Sequence, residues 1–442
     1  MEQVKAYVQQ NRERYIKELI ELLKIPSIST EPAHHDDVRQ AAQWMAERLH
    51  QAGIDDVRIV ETAIHPIVYA QREVGSDKPT ILFYGHFDVQ PAEPLALWTH
   101  PPFDPYIEEG RIYARGASDM KANVLLPIIA CEALLSTTGT LPFNAKFLLE
   151  GEEEIGSPSL ATFIAAHREW LTCDLTISAD GGVGSVEAPL IGLSSRGLAG
   201  LQVRVQTANV DIHSGMGGLA PNALHALVTM LDALRDEEGR ILVDGFYDEV
   251  RPFSVADQAI VESRTLGMEK MAEEWGIKAS FGEPEYTPVQ RALVRPTLEV
   301  NGMWGGFQGE GVKTVIPHEA FAKLTCRLVA GQDPRTIRER VRAYLERVAP
   351  PYATVTVEDL PGEAFPYRLS ADHASVRVLQ QVLHQATGHA ADFSFGGACS
   401  NRCWASRRSR LARQARASGH TRQTNLCDWI ILCDCRSCIV SI

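Results

Sequence analysis

Four acids crowd the segment Glu150-Gly151-Glu152-Glu153-Glu154, directly after the apolar run Phe147-Leu148-Leu149. Upstream, His86-Phe87-Asp88 closes Thr80-Ile81-Leu82-Phe83-Tyr84-Gly85, and Gly116-Ala117-Ser118-Asp119 opens an apolar helical stretch. Downstream, Asp180 closes Leu175-Thr176-Ile177-Ser178-Ala179. Imidazole and carboxylate donors therefore fall at the ends of successive predicted strands. Open α/β sheets build their sites beyond the carboxyl ends of strands, and divalent cations of hard or borderline character take such N/O ligands. The pattern implies metal-dependent hydrolysis, with one carboxylate left over for proton transfer.

Two ions that share a carboxylate would use Asp119 as the bridge, since both of its oxygens can bind. His86 and Asp180 would complete one ion, and Glu154 would serve the other. Asp88 follows His86 by two residues, and a ligating imidazole usually donates its other N–H to a carboxylate. Glu153 then remains free as a general base. Each residue also has a plainer use. A histidine at a strand end is more often hydrogen-bonded than ligating, and an acidic triplet suits the start of a solvated helix. Asp119 could cap the helix that follows it, and Asp180 before Gly181-Gly182 could belong to a turn. Spacing by itself leaves both readings open.

The elements around these residues alternate. Apolar positions at a helical repeat predict a helix over residues 3–23, stopped at Ile25-Pro26-Ser27, and another over 37–52. From Val57 to about Asp180, strands and helices alternate as in a sheet with crossovers. The character changes near Leu193-Ser194-Ser195-Arg196-Gly197. Leu201-Gln202-Val203-Arg204-Val205-Gln206 alternates cleanly, so one face of that strand is wet. A helix at about 222–237, strands at 298–300 and 322–328, a helix at 334–347 and a strand at 354–357 follow. That order suits a small α+β sandwich. The polar stretch 239–293 reads as an insertion. The expected division is a catalytic domain over 1–189 and 362–397, an inserted lid and dimerisation domain over 190–361, and an aberrant tail over 398–442.

A chain of 442 residues holds two or three such domains. Its net charge of −13 argues against a nucleic-acid partner. No purely apolar run reaches about 18 residues, so no membrane span is expected. The N-terminus opens on a charged amphipathic helix rather than a signal peptide, and Cys131, Cys173 and Cys326 are scattered as in a reduced interior. Cytoplasmic residence is the resulting expectation.

Three motifs closely resemble one metallopeptidase family: Tyr84-Gly85-His86-Phe87-Asp88-Val89-Gln90-Pro91, Tyr113-Ala114-Arg115-Gly116-Ala117-Ser118-Asp119-Met120-Lys121, and Glu150-Gly151-Glu152-Glu153-Glu154-Ile155-Gly156-Ser157. The family includes carnosinase-type dipeptidases, acetylornithine deacetylase, succinyl-diaminopimelate desuccinylase, aminoacylase and glutamate carboxypeptidase, and the resemblance runs from about residue 10 to 397. It implies a hydrolase-like α/β catalytic domain, with a mixed sheet and helices on both faces, carrying the inserted lid. It also implies two divalent ions, zinc foremost with manganese or cobalt as alternatives. His86, Asp119 and Asp180 would hold one ion, Asp119 and Glu154 the other. Glu153 would be the base and Asp88 the partner of His86, and the Asp119–Met120 peptide would be cis. Asp211-Ile212-His213-Ser214-Gly215 resembles a lid motif whose histidine supports the oxyanion in a partner subunit, which implies a homodimer. Arg327 and Thr314 resemble the region that contacts the substrate carboxylate, for which an Arg fork is suited, and Asn222, after Pro221, is a weaker substrate-contact candidate. The long insertion and Asn301-Gly302-Met303-Trp304-Gly305 look most like the dipeptidase branch. The alternatives are an N-acyl-amino-acid amidohydrolase and a non-catalytic binder of amino acids or peptides.

The resemblance stops after Phe395-Gly396-Gly397. The family continues with a Ser-Ile-Pro segment and a late histidine that is the last ligand of the second ion. Residues 399–442 instead carry eight arginines against Asp428 and Asp434, six cysteines, and no Lys, Glu or Pro. His420 is the only histidine there, in the wrong context. The expectation is a frame-shifted translation from about residue 398; the alternative is a zinc-binding or redox tail built on Cys433, Cys435 and Cys438, whose spacing fits no common zinc pattern. Such a tail implies a second ion short of a nitrogen donor, a sheet without its last strands, and weakened activity and solubility.

Overall fold

The computed structural model describes residues 2–108, 110–178, 180, 189–263, 265–395 and 431–434. The chain forms two compact units, one of residues 1–193 with 371–393 and the tail, the other of residues 194–370 with 394–397. The second unit thus begins four residues later than the sequence placed it and keeps nine more at its far end. The tail expectation lies outside the described residues except at Ile431–Asp434.

In the first unit a mixed sheet runs in the order Asp56–Val60, Ile67–Arg72, Asn144–Glu150, Thr80–His86, Leu175–Ser178, Ile431–Asp434. Thr80–His86 lies parallel to both of its neighbours, so these three strands point their carboxyl ends the same way. Asn144–Glu150 is buried along its whole length, as a strand covered on both faces must be. Ala145, Phe147 and Leu149 join one core with Leu22, Met45, Val124 and Ile128. Leu148 faces the other way, into a core with Ile67, Tyr69, Leu82 and Phe163. The helix Lys121–Thr138 is long and apolar enough to pass for a membrane span on length and composition, which a search for unbroken apolar runs overlooked. Its Val124, Leu125, Ile128 and Ile129 are instead core residues.

Two differences from the sequence reading have local causes. The helix expected over 3–23 is two, Glu2–Gln10 and Arg12–Leu23. They part at Asn11, whose amide donates to Tyr7 O at 2.9 Å and so competes for the backbone. The sheet expected to lack its last strands has one from the tail, Ile431–Asp434, paired antiparallel with Leu175–Ser178. The apolar run Ile430-Ile431-Leu432, rich in β-branched residues, supplies the first half of that strand.

The second unit is a four-stranded antiparallel sheet, ordered Thr297–Gly305, Glu319–Leu328, Gly197–Gln206, Thr354–Ala364. The helices Ala223–Asp232 and Pro334–Val348 are capped by Asn222 and Asp333. They share one core with the inward residues Leu201, Val203, Val205, Leu324 and Leu328. The insertion holds the short helices Val255–Glu262, Thr265–Glu274 and Pro288–Leu293.

Candidate metal centre

His86 ends the central parallel strand and is fully buried. Its Nδ1 lies 3.1 Å from the carbonyl oxygen of Asp88 and 3.3 Å from its carboxylate. Both are acceptors, so Nδ1 carries a proton, and Nε2 is the ring atom turned toward the other carboxylates. Nε2 is buried without a hydrogen-bond partner. Around it stand Asp119 Oδ1 at 3.3 Å, off the bonding direction, Glu153 Oε2 at 3.7 Å and Asp180 Oδ2 at 3.9 Å. Donor atoms of His86, Glu153 and Glu154 lie within 4.8 Å of one another, as do those of His86, Asp119 and Asp180. The six residues 86, 88, 119, 153, 154 and 180 are therefore brought together. His86 is common to both groups.

Local structure explains how each arrives. The Glu150 strand, parallel to the His86 strand, delivers the short helical turn Glu153–Ile155 to the same edge. Asp88, fully buried, accepts from Glu153 N at 3.2 Å and Glu154 N at 3.0 Å. It thus satisfies amides at the start of that turn, as well as facing His86. Ser29 Oγ donates to the same carboxylate at 2.6 Å. The Asp119–Met120 peptide is cis, and Met120 Sδ accepts from His86 N at 3.3 Å.

Crowding sets the electrostatics. Glu153 is pushed up to about 7, first by burial and then by Asp180, Glu154 and Asp88, against the opposing pull of His86. Burial is also the largest cause of the upward shifts at Glu154 and Asp180. At His86 burial acts downward, but the carboxylates of Asp119, Asp88 and Asp180 outweigh it and hold the imidazole well above its ordinary value. Carboxyl groups packed this closely destabilise one another's ionised forms. A buried imidazole nitrogen without a hydrogen-bond partner and a surplus of closely packed carboxylates fit a divalent cation: either group offers one nitrogen and two carboxylates.

Three residues of the same segments escaped the sequence reading. Glu150 is buried, pushed up to about 8 mainly by that burial, and accepts from Tyr84 Oη at 2.6 Å and Ser157 Oγ at 2.9 Å. Glu152, also buried, accepts from Thr62 Oγ1, His65 N and Ser159 N. Lys121 is fully buried and donates to the carbonyls of Leu22 and Ile25 at 3.1 and 2.7 Å, its amine pushed down to about 7 by burial. Only Lys121 left a signal: a cation in the first turn of a helix opposes the dipole, which asks for a specific partner.

The remaining expected residues lie in the second unit. His213 Nδ1 accepts from Gly215 N at 3.0 Å, so Nε2 bears the proton, 3.3 Å from Thr314 Oγ1. Pairing of Ile212–His213 with Val315–Ile316 brings these two together. Arg327 sits half-buried in the strand Glu319–Leu328. Asn222 Oδ1 accepts from Leu224 N and His225 N and caps the following helix. That use occupies its acceptor for a structural purpose.

An α/β unit with these donors at the carboxyl edge of parallel strands defines a metallohydrolase. The chain belongs to peptidase family M20/M25/M40, whose model it matches over residues 82–405. The cysteinylglycine-S-conjugate dipeptidase of Corynebacterium striatum is 30% identical over 383 residues, spanning 86% of this chain and 82% of that one. The beta-Ala-His dipeptidase of Mus musculus is 29% identical over 365 residues, spanning 79% and 74%. Among solved structures, an M20 family metallo-carboxypeptidase from Sulfolobus solfataricus superposes with a TM-score of 0.75 at 32% identity, covering 86% of this chain and 85% of that one. The fold is the expected one, a mixed α/β sheet unit with an α+β sandwich inserted.

Proposed function

We propose that this chain hydrolyses dipeptides with two divalent cations, zinc foremost, and acts in the cytoplasm as a homodimer through its second unit. The observation that carries the reading is the buried, unpartnered Nε2 of His86 facing three carboxylates. His86, Asp119 and Asp180 would hold one ion, and Glu154 with Asp119 the other. Bound there, divalent ions supply Lewis acidity to the peptide carbonyl and acidify water. Glu153 takes the proton of the attacking water and returns it to the leaving amine nitrogen. Asp88 holds the imidazole tautomer and the turn that carries Glu153. Arg327 and Thr314 receive the substrate's terminal carboxylate, and the protonated Nε2 of His213, supplied to the partner subunit, donates to the developing oxyanion. The names of the two relatives above support a dipeptide over an N-acyl amino acid.

Elemental analysis combined with a panel of dipeptides and N-acetyl amino acids tests this. The expected result is bound divalent metal, dipeptide turnover that a chelator removes, and little hydrolysis of N-acetyl amino acids. Preference for N-acetyl amino acids would make the chain an amidohydrolase. Calorimetric binding of dipeptides to metal-loaded protein without turnover would make it a binder only.

A further inference from the structure

The segment that leaves the central strand, His86-Phe87-Asp88-Val89-Gln90, alternates in its environment. Phe87 and Val89 are fully buried and anchor it. On the other side His86 faces the carboxylates, and Asp88 accepts the amides of Glu153 and Glu154. The third position on that side is Gln90. Its Nε2 donates at 2.8 Å to the carboxylate Oε2 of Glu154 and at 2.8 Å to the carbonyl oxygen of the same residue. Both partners are acceptors only, so the amide must present its nitrogen to them and the orientation is forced by the network. One side chain thereby fixes Glu154 at both its backbone and its carboxylate. A carboxylate with one oxygen held by a neutral donor loses rotational freedom, keeps its charge, and offers its other oxygen in a fixed direction.

We propose that Gln90 is a positioning residue for the metal ligand Glu154, acting on one ion of the pair and not on the other. This rests on the metal reading above. Gln90→Met keeps the length and volume of the side chain and removes the donor; Gln90→His keeps an N–H at comparable reach. The full-length protein is freed of metal and titrated with Co(II), read by visible absorption and by competition with a chelator. For wild type, two binding steps are expected. In Gln90→Met one step weakens by roughly 10–100-fold while the other is unchanged, as is usual for lost outer partners of a ligand, and kcat falls more than KM rises. Gln90→His restores the weakened step to within a few-fold. Two unchanged steps in Gln90→Met, equal weakening of both, or absence of rescue by histidine would overturn the assignment while leaving the metal site intact. A wild-type chain that takes up no Co(II) would overturn the metal reading itself, and Gln90 with it.

Discussion

At the scale of single residues, the centre works by giving neighbouring acids different surroundings. Asp88 accepts from two amides and Ser29, and Glu152 from two amides and Thr62, so both are fully engaged. Glu153 has burial and like charge around it instead, and climbs to about 7. Glu153→Ala should therefore lower kcat by about 10²–10⁴, the usual contribution of a positioned base, while elemental analysis finds the same metal content as wild type. Unchanged turnover would remove Glu153 from the mechanism. Loss of metal together with turnover would make it a ligand, a role its place in the His86–Glu153–Glu154 group also permits. The sequence could show these acids but not their division of labour. Glu150, Glu152, Glu153 and Glu154 are one residue type in one short segment, and what separates them is which amide or hydroxyl the fold brings to each.

At the scale of elements, the helices behind the sheet are locked by a buried ionic network rather than by apolar packing alone. Glu132, on the helix Lys121–Thr138, accepts from Arg48 of the helix His35–Gln51 at 2.5 Å and from Arg14 of the helix Arg12–Leu23. Arg48, almost fully buried, also reaches Glu18 at 2.8 Å. Burial acts to raise Glu132, but bonds from Arg14 and Arg48 outweigh it and hold the carboxyl below its ordinary range. A carboxyl with a depressed folded value contributes stability that is present above the unfolded value and lost as pH falls through the folded one. Glu132→Ala should cost about 1.5–3 kcal/mol at neutral pH, because the buried Arg48 loses one of its two carboxylates and keeps Glu18. The gap from wild type should narrow as denaturation midpoints are followed from neutral pH into the acid range. A constant gap would mean the charge of Glu132 is not what matters. The element pattern itself was largely legible: periodicity placed helices at 37–52 and 334–347 and an alternating strand at 201–206, where the structure has His35–Gln51, Pro334–Val348 and Gly197–Gln206. The break at Asn11 and the extension of the last sandwich strand to Ala364 were not, since each depends on a local competition or a pairing partner that periodicity does not encode.

At the scale of the whole molecule, two compositions meet in one chain. Residues 1–398 are acidic, whereas residues 399–442 carry eight arginines and two acids within a total net charge of −13. The motif resemblance and the acidic character end within a few residues of each other, and a coding frame that slipped once near the Gly397 codon would account for both. Among the described residues, either candidate metal group offers a single nitrogen, that of His86. A corrected frame that restored the family's late histidine would add a second nitrogen donor on the Glu154 side. Metal that binds only the folded chain stabilises it in proportion to the logarithm of its affinity, about 2.7 kcal/mol at a hundredfold excess over Kd. The coding DNA should therefore show an insertion or deletion near codons 397–398. The chain made from the corrected frame should bind its second ion more tightly, melt higher with metal than without by a larger margin, and turn over dipeptides faster than the present chain. An uninterrupted frame, or a corrected chain with the same metal titration and melting behaviour, would mean that the arginine-rich tail belongs to this protein and that its centre operates with the donors it already has.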